Sequence, residues 1–358
     1  MRKSLTYKIL AAVMALSAAN WAVPANVLAD EYIVKQDGEI ISDDCDVVYG
    51  NGHNFTINGG TINGDVYGVG NDNYDEAASG GNVTINGNAT VTGNVFGGYS
   101  DYSNTYNNTV NISSNSVRGY VFGGYASGSA NNNTVNISGD TVDRVYGGCA
   151  SGSANDNTVN ISGNAKVTGN VYGGWSNNDS ANDNTVNISG SADIENANLY
   201  GSYNDTDTGN TLTIDGWSGS TKSVKNFNDI AFKNINWNEN KPVLTITVGS
   251  ADDLENTTID TIHIAGGSDI NVDESKTLIK NNGTLNSIGN VTDAFTAGVA
   301  REGLGSTSVD KTTGEVSFKV NSIKLSSQAV SAAQTRAASA AFVNQGTDLI
   351  SDSLDTIS

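Results

Sequence analysis

The chain has 358 residues and a formal net charge of −20, because 38 acidic residues stand against only 18 lysines and arginines. This charge opposes binding to nucleic acid and to anionic membranes, since both require a cationic surface. Hydrophobic residues make up 37% of the chain, a polar composition that indicates disorder unless a regular pattern opposes it. Such a pattern runs through most of this sequence.

Residues 1–29 are typical of a secretory signal peptide. Three cations precede an apolar run over residues 9–19, and the small residues that follow predict cleavage between Ala29 and Asp30. A membrane anchor is the alternative, but the apolar run is too short to span a bilayer. Cleavage would leave 15 basic against 38 acidic residues, a net charge of −23. We therefore expect an exported protein.

Residues 53–216 carry a repeat of about 25 residues, and residues 30–52 are expected to form an N-terminal cap. The phrase NTVNI begins at Asn108, Asn133, Asn157 and Asn184. The related phrases FTI, VTI and NTLTI bring the number of units to seven. Apolar and polar residues alternate, which predicts half-buried strands. The Val and Ile of each phrase should lie in the core, and the Asn and Thr on the surface and in turns.

One unit cannot bury an apolar face alone, so the units should stack on one another. The predicted fold is an all-β repeat β-solenoid, or β-helix, with about three strands per coil. A β-sandwich or a propeller is the alternative. A propeller blade needs about 40 residues, however, and sandwiches rarely repeat their sequence.

A second motif, in which an aromatic residue precedes a glycine pair, recurs once per unit. The leading aromatic residues should form one structural ladder: Tyr67, Phe96, Phe122, Tyr146, Tyr172 and Tyr200. The aromatic residues after the glycines should form another: Tyr99, Tyr125, Trp175 and Tyr203. The glycine pair should allow a sharp corner where a side chain would clash or need positive φ. A packing stack is the favoured interpretation and a sugar-binding groove the alternative.

No cofactor and no metal site are expected. Asp and Asn crowd the turns at residues 155–157 and 182–184, which leaves weak calcium binding open. The nine-residue repeat of calcium-binding β-rolls is absent. Cys45 and Cys149 are the only cysteines, and their pairing also stays open.

Residues 217–324 still alternate in strand fashion but without a fixed phrase, so they are expected to form irregular terminal coils. Residues 325–358 change to an alanine-rich pattern with helical spacing, and Ser326 or Ser327 is a suitable N-cap. This is the only helix that the sequence predicts.

The signal peptide, the Gly- and Asn-rich solenoid, the segment around Phe227 and Phe232, and the helix over residues 334–350 together resemble a bacterial autotransporter of the type V secretion family. The resemblance implies a passenger whose linker helix threads an outer-membrane β-barrel. That barrel is the expected partner, and it is missing from this sequence. The resemblance further implies that residues 217–324 form the folding nucleus. It places the chain in the periplasm as written, and at the outer membrane or cell surface if a barrel is supplied.

Nothing in the sequence predicts an enzyme. Its two histidines, His53 and His263, lie in a turn and in an alternating strand, and no nucleophile or phosphate-binding motif is present. The expected function is that of a non-enzymatic passenger, an adhesin or a structural or self-associating surface protein, with host surfaces or other copies as ligands. A carbohydrate-active enzyme on a solenoid, which would need a charged cluster that breaks the repeat, is one alternative. A truncated, non-functional remnant is the other.

Overall fold

The computed structural model describes residues 31–71, 76–113, 116–139 and 141–355. The predicted signal peptide and its expected cleavage site at Ala29 and Asp30 lie outside these residues. In chain order the strands are β1 (Tyr32–Ile33), β2 (Glu39–Ile41), β3 (Val48–Tyr49), β4 (Phe55–Ile57), β5 (Thr61–Ile62), β6 (Val66–Asn71), β7 (Ala78–Ser79), β8 (Asn82–Ile85), β9 (Thr90–Val91), β10 (Val95–Ser100), β11 (Thr105–Tyr106), β12 (Thr109–Ile112), β13 (Ser116–Val117), β14 (Val121–Ala126), β15 (Ala130–Asn131), β16 (Thr134–Ile137), β17 (Thr141–Val142), β18 (Val145–Ala150), β19 (Thr158–Ile161), β20 (Lys166–Val167), β21 (Asn170–Ser176), β22 (Thr185–Ser189), β23 (Asn198–Tyr200), β24 (Thr211–Asp215), β25 (Gly219–Thr221), β26 (Ser223–Lys225), β27 (Asp229–Ile235), β28 (Leu244–Ile246), β29 (Thr258–Ile264), β30 (Ser275–Asn281), β31 (Ala294–Ala297), β32 (Arg301–Asp310) and β33 (Glu315–Leu325). They are followed by one helix, α1 (Ser327–Asp355).

The strands stack into a parallel β-solenoid with three sides, as predicted. Sheet A joins the aromatic-glycine strands in the order β1-β3-β6-β10-β14-β18-β21-β23-β26. Sheet B joins the phrase strands from β2 and β4 through β24 to β27, β29 and β31. The third side consists of two-residue strands such as β9 and β13, and short strands β7, β11 and β15 form a further corner ladder. Since β1–β3 join sheets A and B, the segment expected to be a cap supplies the first coil.

Each repeated phrase lies directly above its counterpart in the neighbouring coil. Val135 pairs in register with Val110 and with Val159, and Ile137 pairs with Ile161. Val135, Ile137 and Ile161 are fully buried. The predicted core of stacked Val and Ile is therefore confirmed.

The leading Asn of each phrase was expected at the surface, and this expectation is wrong. Asn133, Asn157 and Asn184 are completely buried. The Asn157 Oδ1 accepts the backbone N–H of Asn133 at 2.9 Å and its amide at 3.1 Å, and Asn157 itself donates in the same way to Asn184. These side chains satisfy backbone donors where the chain enters sheet B. A continuous buried amide ladder thus runs up one corner of the solenoid.

The glycine pair lies inside the strands of sheet A and does not adopt positive φ. Its role is to make room for the buried amides, because a Cβ at Gly148 would lie 2.5 Å from the Asn157 Nδ2. A Cβ at Gly147 would also approach Asn157, at 2.8 Å from its Cβ. Both glycines of the pair therefore face the interior of the solenoid, where the strand of sheet A bends. The flanking aromatic residues on both sides of the pair consequently face outward.

The solenoid ends in an antiparallel hairpin. Strands β32 and β33 pair with each other, and they also pair antiparallel with β31 and β30 respectively, so the hairpin joins two parallel ladders. Asp253 covers the last strand of sheet A, where its Oδ1 accepts the Val224 N–H at 3.0 Å. Both sheets therefore have their edges covered at this end.

Helix α1 leaves the hairpin directly after β33. The Ser326 hydroxyl accepts the N–H of Ala329 at 3.2 Å, which confirms the predicted N-cap. The helix projects into solvent, with Phe342 78% exposed. Over the described ranges, no helix combines the length and the apolar character needed to span a membrane.

Candidate functional site

The outer side of sheet A carries a continuous column of aromatic rings. Successive rings of the first column are stacked with centroids 4.6 to 5.3 Å apart, and their members are Tyr67, Phe96, Phe122, Tyr146, Tyr172 and Tyr200. Tyr49 extends the column by one ring at 5.5 Å from Tyr67. The sequence reasoning missed Tyr49, although the local Val-Tyr-Gly pattern matches the motif.

A second column packs edge-on against the first. Tyr99 contacts the rings of Tyr67 and Phe96 at 5.5 and 5.0 Å, with the ring planes nearly perpendicular. Within the column, Tyr99 stacks on Tyr125 at 5.1 Å and Trp175 on Tyr203 at 3.9 Å. Cys149 lies in register between Tyr125 and Trp175, so one ring is missing from the column.

This arrangement favours the packing interpretation of the aromatic columns. A sugar ring needs a free aromatic face, but each face in the first column is covered by the ring of the next coil. Phe96 and Tyr172 are only 5% and 6% exposed. The stacked and edge-on pairs are the two geometries that aromatic rings prefer. The columns therefore stabilise the outside of the bend in sheet A.

Polar and charged groups lie among and beside these aromatic rings. Burial raises the pKa of Tyr172 to about 12. The Tyr99 hydroxyl donates to the Asp101 carboxylate at 3.0 Å. The Arg144 guanidinium lies 4.9 Å from the centre of the Tyr120 ring, a cation–π contact at the edge of the columns.

The two cysteines are both free, so they do not pair. Cys45 lies in the inner core, whereas Cys149 lies outside sheet A among the aromatic rings. Burial raises the pKa of the Cys45 thiol to about 11 and that of the Cys149 thiol to about 12. Both thiols are consequently protonated and poor nucleophiles at neutral pH.

A charged cleft opens where the repeat ends. It has a volume of about 580 Å³ and is lined by residues of the 237–242 loop and of strand β30. The Trp237 Nε1 donates to the Glu274 Oε2 at 3.1 Å, and the Lys241 Nζ lies 3.3 Å from the Glu239 Oε2. Lys276, which is 6% exposed, donates to the backbone carbonyl of Glu239. The sequence reasoning missed this cleft.

Hydrogen bonds favour the ionised forms of two carboxylates of the cleft, Glu239 and Glu274. The hydrogen bond from Ser218 lowers the pKa of Glu239, and hydrogen bonds from Asn271 lower that of Glu274. A glycosidase needs one carboxyl group with a raised pKa to protonate the leaving group. Burial lowers the pKa of Lys276, but its ammonium group is bonded to the loop carbonyl. These contacts attach the loop to β30.

The two histidines each lie beside a single polar side chain, and the acidic turns place Asp in left-handed backbone positions. The His53 Nδ1 lies 3.3 Å from the Asp37 Oδ1 at the N-terminal end, and the His263 Nδ1 lies 2.6 Å from the Thr296 hydroxyl. Asp156 and Asp183 occupy turn positions with φ of 58° and 56°, a conformation that Asp and Asn tolerate. In the described part of the chain, no three His, Cys, Asp or Glu side chains form a group that could hold a metal ion.

Comparison with known proteins gives no guide to the function. No protein-family model, no curated protein and no solved structure matches this chain. The functional argument therefore rests on the chemistry of the sides of the solenoid and of the cleft.

Proposed function

We propose that this chain is an exported, non-enzymatic β-solenoid passenger of the autotransporter type. It presents its long sides for adhesion, for self-association or as part of a cell-surface structure. The observation that carries the proposal is the uninterrupted register of the stacked phrases from Phe55 to Ile214. An unbroken repeat yields an extended, regular surface, which suits recognition of large or repetitive partners.

Three further features support export and display. The sequence of residues 1–29 has the pattern of a secretory signal, and α1 projects from the closed end of the solenoid with Phe342 and Val343 exposed. The net charge of −23 expected after cleavage suits a soluble and self-repelling surface. An outer-membrane β-barrel is the partner that this proposal requires for surface display.

The charged cleft is a feature that favours the enzymatic alternative, because Glu239, Glu274 and Lys276 line it just beyond the end of the repeat. The lowered pKa values of both carboxylates argue against acid catalysis there. We therefore retain the non-enzymatic function as the proposal.

Surface display tests this function directly. The chain is joined after residue 358 to the β-barrel of an unrelated autotransporter and expressed in a bacterium that neither aggregates nor adheres. Antibody labelling of intact cells confirms the display. We expect these cells to aggregate or to adhere more than cells that display the barrel alone. Equal behaviour of the two strains, with equal labelling, would contradict the proposal.

A further inference from the structure

One outer surface of the solenoid differs from the rest in having no charge. The outward side chains of β8, β12, β16, β19 and β22 are all Thr, Asn or Ser. Together they form a surface that we call the Thr/Asn face. It covers five neighbouring strands of sheet B, which span about 19 Å along the solenoid at a strand spacing of about 4.8 Å.

The asparagines of this face form a second amide ladder. Their side chains are half-buried and hydrogen-bonded from coil to coil at 2.7 to 2.8 Å, and the members are Asn111, Asn136, Asn160 and Asn187. Each bond uses one N–H of one amide and one oxygen lone pair of the next. A primary amide offers two N–H groups and two lone pairs. One donor and one acceptor per amide therefore remain for a ligand, and the ladder holds them in fixed orientation.

A row of threonines runs parallel to the amide ladder. The row is in register from coil to coil and consists of Thr109, Thr134, Thr158 and Thr185. Each threonine lies two residues before an asparagine of the ladder, a separation of about 6.6 Å along the strand. The face thus repeats a hydroxyl and an amide at every strand.

The absence of charge is specific to this face. The third side of the solenoid carries Lys166 paired with Asp193 at 2.6 Å, and the aromatic side carries Arg144 and Asp101. The outward residues of sheet B become charged only beyond the face, beginning at Asp215. A charged partner would find no electrostatic attraction on a neutral face, and the acidic residues around the face would repel an anionic polymer.

We propose that the Thr/Asn face binds an extended, uncharged, β-linked polysaccharide that lies along the solenoid axis. This inference rests on the proposed function and names its ligand class. Such a polymer advances by roughly one strand spacing of about 4.8 Å per sugar ring. Each ring can therefore exchange hydrogen bonds with the two rows, and because alternate rings are turned over, the same hydroxyls recur at every second coil. The first aromatic column cannot replace the face, because its rings cover one another.

The test uses the full chain without its signal peptide and suspensions of cellulose, chitin and β-mannan. In the double variant Thr134→Lys/Thr158→Lys, two long cations replace adjacent hydroxyls of the face. In the matched control Thr90→Lys, the same change is made on the third side, which already carries Lys166. Urea unfolding midpoints establish that the variants fold like the parent. The single variant Thr158→Lys replaces the double variant if the latter is unstable.

We expect the parent and Thr90→Lys to sediment with at least one polysaccharide, and the face variant to bind at least tenfold less. Failure of the parent to bind all three, or an equal loss in both variants, would overturn the inference. Ice shaping by the parent that is lost in the face variant, without polysaccharide binding, would overturn it too and assign the face to ordered water. Displayed cells that still adhere with the face variant would leave the proposed function standing and remove only this ligand.

Discussion

Replacing Asn157 by alanine removes one rung of the buried amide ladder. The Asn157 side chain accepts from the Asn133 backbone N–H at 2.9 Å and donates to the Ala130 carbonyl at 2.9 Å. The alanine variant leaves both backbone groups buried without these partners. Each such group costs about 1–3 kcal/mol, so we expect the free energy of unfolding to fall by about 2–6 kcal/mol.

Asn160 in the same strand is the matched control. Its amide also makes two ladder hydrogen bonds, both at 2.7 Å, but it is half-buried and water can replace its partners. Asn160→Ala should therefore lower the stability by about 1 kcal/mol or less.

Urea unfolding followed by circular dichroism measures both changes. Repeat proteins can unfold in parts, so the slope of the transition must match that of the parent before the free energies are compared. An Asn157→Ala variant that is no less stable than Asn160→Ala would refute the role assigned to the buried ladder.

Three other substitutions probe separate parts of the solenoid. Cys149→Tyr should fill the gap in the second aromatic column and raise the free energy of unfolding by about 0.5–1.5 kcal/mol. A urea midpoint lower than that of Cys149→Ser would show that the column has no room for a ring at this position. Gly174→Ala should lower the free energy of unfolding by about 1–3 kcal/mol, because overpacking is destabilising and the new Cβ would lie 2.5 Å from the Asn184 Nδ2. The control Gly266→Ala should be nearly neutral, because its Cβ would meet only Gly298, at 3.7 Å. Equal midpoints for these two alanine variants would show that the glycine pair is not needed for close packing. The hydrogen bond from Lys166 lowers the pKa of Asp193 in the folded protein. The ion pair therefore stabilises the fold fully at a pH above the pKa of Asp193 in the unfolded chain, about 3.9, and this stabilisation is lost as the pH falls through the lower pKa of the folded state. Lys166→Met should therefore lose less stability than the parent between pH 5 and pH 2, and parallel pH profiles would contradict this coupling.

The regular part of the fold could be predicted because its signal is repeated. The spacing of Val110, Val135 and Val159 and their alternation with polar residues fixed both the strands and the side that faces the core. The aromatic residues before each glycine pair recur at the same coil length, so the first aromatic column could be predicted in the same way. Stacking needs only that like residues recur at one coil length, which a sequence displays directly.

The burial of Asn133 could not be predicted from its residue type, because asparagine is usually found at the surface and in turns. Its position becomes favourable only when the next coil supplies an amide oxygen for its backbone N–H. The role of the glycine pair depends on the same amide. The charged cleft was missed for another reason: Trp237 and Glu274 are far apart in a region without a repeat, and only the fold brings them together.

The most direct test of the account compares adhesion or aggregation of cells that display three chains at equal level. These are the parent, the Thr134→Lys/Thr158→Lys variant of the Thr/Asn face, and the Glu239→Gln/Glu274→Gln variant of the charged cleft. If the sides of the solenoid bind partners without catalysis, the cleft variant should behave like the parent and the face variant should lose the interaction. Loss of activity in the cleft variant with full activity in the face variant would contradict the account.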